Sequence, residues 1–122
     1  MTLFEQMGGT PVLNKTVTLF YQNVVTDPKI SHLFPEDITP VMEKQAQFLT
    51  QFLGGPPLYT SVHGHPRMRA RHLPFEITRE RADAWLSCMR RALEQTVPDA
   101  SLRDSILERL SSSAYFFVNT EG

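Results

Sequence analysis

Apolar residues recur along most of this chain at intervals of three and four, and glycine or proline interrupts the rhythm at a few points. Leu13, Val17, Phe20, Tyr21 and Val24 fall at i, i+4, i+7, i+8 and i+11, which predicts an amphipathic helix. Thr10 as N-cap with Pro11 in the first turn would start it, and Asp27-Pro28 would end it. Ahead of it, Thr2 to Met7 has room for one short helix that Gly8-Gly9 stops. Pro28 to Phe34 predicts a helical turn closed by Pro35. Thr39-Pro40 repeats the cap-plus-proline start for a helix through Val41, Met42, Gln45, Phe48, Leu49, Phe52 and Leu53, stopped at Gly54-Gly55. Residues 54 to 66 crowd together helix breakers and predict an ordered loop, and a short basic helix around His72 follows, ended by Pro74. Thr78 caps a helix carrying Ala82, Trp85, Leu86, Met89, Ala92 and Leu93. Beyond the Pro98-Asp99 break, Leu102, Ile106, Leu110, Ala114 and Phe117 mark the last helix. No convincing strand pair appears, so the expectation is an all-α domain of about five helices over residues 1–122.

Two of these helices depart from a simple inside-and-outside pattern. Positions 41, 45, 48 and 52 form one stripe and 42, 49 and 53 a neighbouring one, so the apolar arc is wide and Gln45 sits within it. An arc of that width needs two things to pack against: two protein elements, or one protein element and a flat apolar ligand. Tyr21 similarly places a hydroxyl in an apolar stripe, and Trp85 brings an indole N–H that can only donate. Each is equally consistent with a core residue that bonds a nearby carbonyl. Phe34 reads as a bulky residue filling a corner.

Composition narrows the function classes. At 122 residues, 41% hydrophobic, 20% charged and a net charge of -1, the chain has the profile of a soluble globular protein, and a nucleic-acid partner is not expected. No apolar run approaches the roughly 20 residues of a membrane span, so no membrane association is expected either. Cys88 is the single cysteine and has no internal disulfide partner, and the N-terminus shows neither a basic start nor an apolar signal run; the expected compartment is the cytoplasm. Without a local base, Cys88 reads as small buried filler.

Candidate chemistry gathers around Arg67-Met-Arg-Ala-Arg-His72-Leu-Pro-Phe75. A neutral imidazole is a common iron ligand, and Arg67, Arg69 and Arg71 are cations of the kind that haem propionates attract. An ordinary histidine in a basic turn satisfies the same stretch. His63-Gly-His65 lacks a carboxylate or cysteine at ligand spacing, and reads as two loop histidines bonded to backbone or water.

Taken together, these segments resemble a truncated haemoglobin. The resemblance rests on Gly8-Gly9 and Gly54-Gly55, Phe34-Pro35, Lys44-Gln45 with Phe48, and Leu53-Gly-Gly-Pro-Pro-Leu-Tyr59. It continues through His63-Gly-His-Pro66, Arg69-Ala-Arg-His72-Leu-Pro-Phe75 and Ala84-Trp-Leu-Ser-Cys88, and covers nearly the whole chain in order. Trp85 early in the penultimate helix, with the His72 segment, is similar to the second group, the bacterial and plant type. The implied fold is the truncated globin, a 2-on-2 α-helical sandwich around one haem b, which would supply the flat ligand for the wide arc.

By that resemblance His72 is the proximal iron ligand, and Tyr21, Gln45 and Trp85 are the polar groups of the distal pocket. Val41 takes the position that is a distal histidine in many globins. It cannot donate to a ligand, whereas second-group members more often carry alanine, serine or threonine there. Lys44, Tyr59 and Arg71 are implied to hold propionates, and Phe34 and Phe48 to wall the porphyrin; Arg67 and Arg69 return to solvated charges. The implied function is binding of O2 and other diatomic ligands, for oxygen transport or for detoxification of NO or peroxide. The expected partners are O2, NO, CO, peroxide or sulfide and a reductase, in a monomer or weak homodimer. The competing reading is a haem-based gas or redox sensor acting through a protein partner, which the lack of an output domain disfavours.

Overall fold

The computed structural model describes residues 1–65, 77–116, 118 and 119 of the 122. Among them are six α-helices and no strand: α1 (Leu3–Met7), α2 (Gly9–Val24), α3 (Thr39–Phe52), α4 (Leu58–His63), α5 (Arg79–Thr96) and α6 (Ala100–Phe116), with a 3-10 turn at Ser31–Leu33. The long helices are the predicted ones. All five stripe residues of α2 are buried, from Leu13 at 1% exposure to Val24 at 0%. They pack chiefly on α5, while α2 also contacts α3 and α5 contacts α6.

Local chemistry sets the ends. Thr2 and Glu5 form a capping box on α1, in which the Thr2 Oγ1 accepts from the Glu5 N–H and the Glu5 Oε1 from the Thr2 N–H, both at 3.1 Å. Thr78 Oγ1 accepts from the Arg81 N–H at 3.1 Å and caps α5 as expected. Two other starts differ from expectation. Helix α2 begins at Gly9 with Gly8 as its cap, so Thr10 lies inside the first turn. In α3 Thr39 is the first helical residue, and the Asp37 carboxylate accepts its N–H at 3.1 Å from outside the helix. Threonine followed by proline thus marked the right turn but not the cap. Part of the expected loop after Gly54-Gly55 is also helical: Pro57 leads into α4, with the Pro57 carbonyl accepting the Ser61 N–H at 3.0 Å. Pro56-Pro57 opens a helix here because proline costs nothing where N–H groups are unpaired anyway.

The Gly-Gly stop after α3 holds α1 close. The Phe4 N–H donates to the Leu53 carbonyl at 2.9 Å, and Gly54 adopts a φ of +97°. A Cβ on Gly54 would come 2.7 Å from Thr2 Cβ, and one on Gly55 would meet the Thr50 carbonyl oxygen at 2.8 Å. Both glycines are therefore required by close approach, which fixes the far end of α3 against the N-terminal turn.

Candidate functional site

Helices α2, α3, α5 and α6 enclose a cavity of about 380 Å³. Its walls are mostly apolar, with a few polar groups, as expected for a site that takes a cofactor-sized ligand. Eight of the residues singled out from sequence meet there: Tyr21 from α2, Phe34 from the corner, Val41, Lys44, Gln45 and Phe48 from α3, Tyr59 from α4 and Trp85 from α5. His72 and Arg71, with the rest of the 67–75 segment, lie outside the described residues.

The wide arc of α3 now has its explanation. Val41, Lys44, Gln45, Phe48 and Leu49 all face the cavity, while Leu53 at its end is part of the protein core. One flank of the arc packs on protein and the other lines open space. That is why Val41, Gln45 and Phe48 are only half-buried despite their inward position.

Tyr21 is 1% exposed, yet no protein group among the described residues hydrogen-bonds its hydroxyl, and the residue lines the cavity. Burial alone pushes its phenol pKa well above the ordinary value, so the group stays protonated and can donate. Rings hold it in place. Phe20 meets Tyr21 edge-on at 4.8 Å between centroids, and Phe34 meets it at 5.8 Å. On the other side of the cavity Phe48 is edge-on to Tyr59 at 6.0 Å and stacks on Phe52 at 5.4 Å.

His63 lies behind Tyr59, ring against ring at 4.7 Å, with Nε2 2.8 Å from Gln47 Oε1. An amide oxygen only accepts, so Nε2 carries the proton. Its partner is thus a side chain rather than the backbone or water expected from sequence. Cys88 is fully buried, as expected of filler, although its Sγ also contacts Asp27 Oδ2 at 3.8 Å and Arg91 Nη2 at 3.6 Å. Burial is the largest influence on the thiol and raises its pKa.

Periodicity missed part of the wall. Ile77, Arg81 and Ser113 also line the cavity, beside Ala114 of the predicted last stripe. Arg81 stands outside the apolar stripe of α5, yet it lies four residues before Trp85 and so on the same side of the helix. That i, i+4 relation was the available signal.

A family model for bacterial-like globins matches residues 2–119 of this chain. Group 2 truncated hemoglobin YjbI of Bacillus subtilis (strain 168) is 50% identical over 111 residues, covering 91% of this chain and 84% of that protein. The chain belongs to the group II truncated haemoglobins. The crystal structure of the group II truncated hemoglobin from Bacillus anthracis superposes with a TM-score of 0.96 at 51% identity, covering 100% of this chain and 94% of that one. The X-ray structure of the truncated oxygen-avid haemoglobin from Bacillus subtilis gives 0.92 at 48% identity, covering 98% and 100%. The helices therefore form the 2-on-2 globin sandwich expected from sequence.

Haem b is the cofactor of this family, and the cavity of this truncated haemoglobin fits it. The rings of Phe34 and Phe48 supply apolar walls for a porphyrin, Lys44 and Arg81 bring cations for its carboxylates, and Tyr21, a buried residue, lines the cavity with a hydroxyl that no protein group among the described residues hydrogen-bonds. No helix among the described residues is long and apolar enough to cross a membrane.

Proposed function

We propose that this truncated haemoglobin holds haem b through His72 and binds O2, or another diatomic ligand, in a pocket whose hydrogen-bond donors are Tyr21 and Trp85. When bound, the haem supplies a redox-active iron with a position open to a small gas. Everything else is done by the chain. The Tyr21 O–H and the Trp85 N–H donate to a ligand that carries negative charge, and the dry apolar surroundings strengthen both bonds. Gln45 orients the Tyr21 hydroxyl or reaches the ligand through a water. Val41 offers only methyl groups, donates nothing and narrows access. Lys44, Tyr59 and Arg71 hold the propionates, joined by Arg81.

The observation that carries this reading is the Tyr21 phenol, 1% exposed and without a protein hydrogen bond among the described residues, facing a cavity that Gln45 and Trp85 share. Two charge-assisted bonds of roughly 1.5 to 3 kcal/mol each make a tight, slow-releasing site. Slow release suits O2-dependent NO dioxygenation or peroxide chemistry supported by a reductase at least as well as oxygen transport. The similar truncated haemoglobin of Bacillus subtilis is oxygen-avid, which supports a tight site.

The test is spectroscopic. Purified protein supplied with haem is expected to give a five-coordinate ferrous spectrum, and His72→Ala to lose that spectrum or the haem itself. Equal spectra and equal haem content in the two proteins would sink the axial assignment.

A further inference from the structure

Ile77 and Asn119 are joined twice. The Asn119 N–H donates to the Ile77 carbonyl at 3.0 Å, and the Asn119 Oδ1 accepts from the Ile77 N–H at 2.9 Å. A second tie lies beside the first: the Tyr115 hydroxyl donates to the Asp83 carboxylate, and the Arg79 guanidinium sits 4.9 Å above the Tyr115 ring. Residues 115 and 119, at and beyond the end of α6, are thus fastened to residues 77, 79 and 83 at the entry to α5. These ties have a direct bearing on the cavity, since Ile77, Arg81, Ala82 and Trp85 line it from the α5 side and Leu110, Ser113 and Ala114 from the α6 side.

Ile77 also stands five residues after His72 in the chain. Five residues reach at most about 18 Å, so whatever fixes Ile77 limits where the intervening chain can go. A group that orients a metal ligand without touching the metal commonly changes metal affinity by roughly 10- to 100-fold. We propose that Asn119 is a positioning residue: by holding Ile77 from both its N–H and its carbonyl, it fixes the downstream anchor of the segment carrying His72 and slows haem release. This rests on the assignment of His72 as the iron ligand.

The experiment is haem transfer from the loaded protein to an excess of a haem-free acceptor globin. Asn119→Leu removes the acceptor for the Ile77 N–H and is expected to lose haem roughly five- to ten-fold faster, with a shifted or broadened iron–histidine stretching band. Asn119→Asp keeps an acceptor oxygen and is expected to stay within about two-fold of wild type. O2 dissociation, set by Tyr21 and Trp85, should change little in either. Thr16→Val serves as the control, because it breaks the 2.7 Å Thr16–Thr96 hydrogen bond outside the cavity lining. Unchanged haem loss in Asn119→Leu overturns the proposal, as does equal acceleration in Thr16→Val at matched loss of stability. Should Asn119→Leu fail to fold, Tyr115→Phe removes the neighbouring tie and is expected to accelerate haem loss by a smaller factor; no acceleration there overturns the proposal too. Normal haem retention in His72→Ala overturns both assignments, whereas loss there with Asn119→Leu unchanged overturns the positioning role alone.

Discussion

The ring of Phe20 meets the indole of Trp85 edge-on, with centroids 4.9 Å apart and planes at 63°. Phe20 is also edge-on to Tyr21, so one fully buried ring braces both proposed donors, the first on α5 and the second on its own helix. Preorganisation of this kind lets a donor contribute its full bond without first paying to become ordered.

Removing either donor should therefore remove one bond cleanly. Tyr21→Phe and Trp85→Phe are each expected to speed O2 dissociation by roughly ten-fold, the effect of losing one charge-assisted hydrogen bond. Because the two share Phe20 and one ligand, the double variant is expected to depart from simple multiplication. Stopped-flow off-rates check this, and unchanged rates after both substitutions would overturn the distal assignment.

Burial of Tyr21 also predicts an alkaline weakness of the haem-free protein. The folded phenol ionises at higher pH than the unfolded one, whose ordinary value is about 10. Stability from this group is fully present below that value and falls once the unfolded chain begins to ionise, by up to about 1.4 kcal/mol per pH unit. Denaturant midpoints of the wild type should fall more steeply above pH ~10 than those of Tyr21→Phe. Parallel slopes in the two proteins would contradict it.

Cys88 is expected to resist thiol reagents in the native state. It is fully buried, and its raised pKa keeps the thiol protonated near neutral pH. Its labelling rate should follow unfolding as denaturant is added; rapid labelling of folded protein would show that the α2–α5 interface opens locally.

Gly54→Ala is expected to destabilise the fold by about 1–3 kcal/mol, since it forces a side chain into a left-handed conformation and against Thr2. Urea unfolding gives the value. A change below about 0.5 kcal/mol, the range of ordinary surface substitutions, would show that the α1 turn yields easily.

Much of this was readable from the residues alone, and the parts that were not share a cause. The α2 stripe reads correctly because all of its residues are buried, and only Tyr21 among them also meets the cavity. The arc of α3 read as wide enough for two neighbours, and Tyr21 and Gln45 as polar groups within apolar stripes; sequence left a protein neighbour and a ligand both open, and Tyr21, Gln45 and one flank of the arc line the cavity. Arg81 and Ile77 escaped notice because periodicity sorts positions into core and solvent, and a cavity wall is neither. A long cation can line such a wall with its stem while its charge meets a ligand group. The cap on α3 was misread for a different reason: an aspartate two residues outside the helix took the place that the Thr39-Pro40 pattern assigned to threonine. Pattern reading counts residues along the chain, whereas Asp37 competes through a side chain that reaches across a bend.

Five residues of α3, from Val41 to Leu49, line the cavity, and the helix is tethered at both ends, by Asp37 at the first turn and by the tight Gly54-Gly55 contacts with Thr2 and Phe4 at the last. The methyl groups of Val41, one of the pocket's cations and part of its aromatic wall thus share one stiff rod. Evolution cannot retune them one at a time by moving the backbone. A tilt that moved Val41 away from the cavity would also carry Lys44 and Phe48 with it, so the wall must be adjusted by exchanging side chains on a fixed rail.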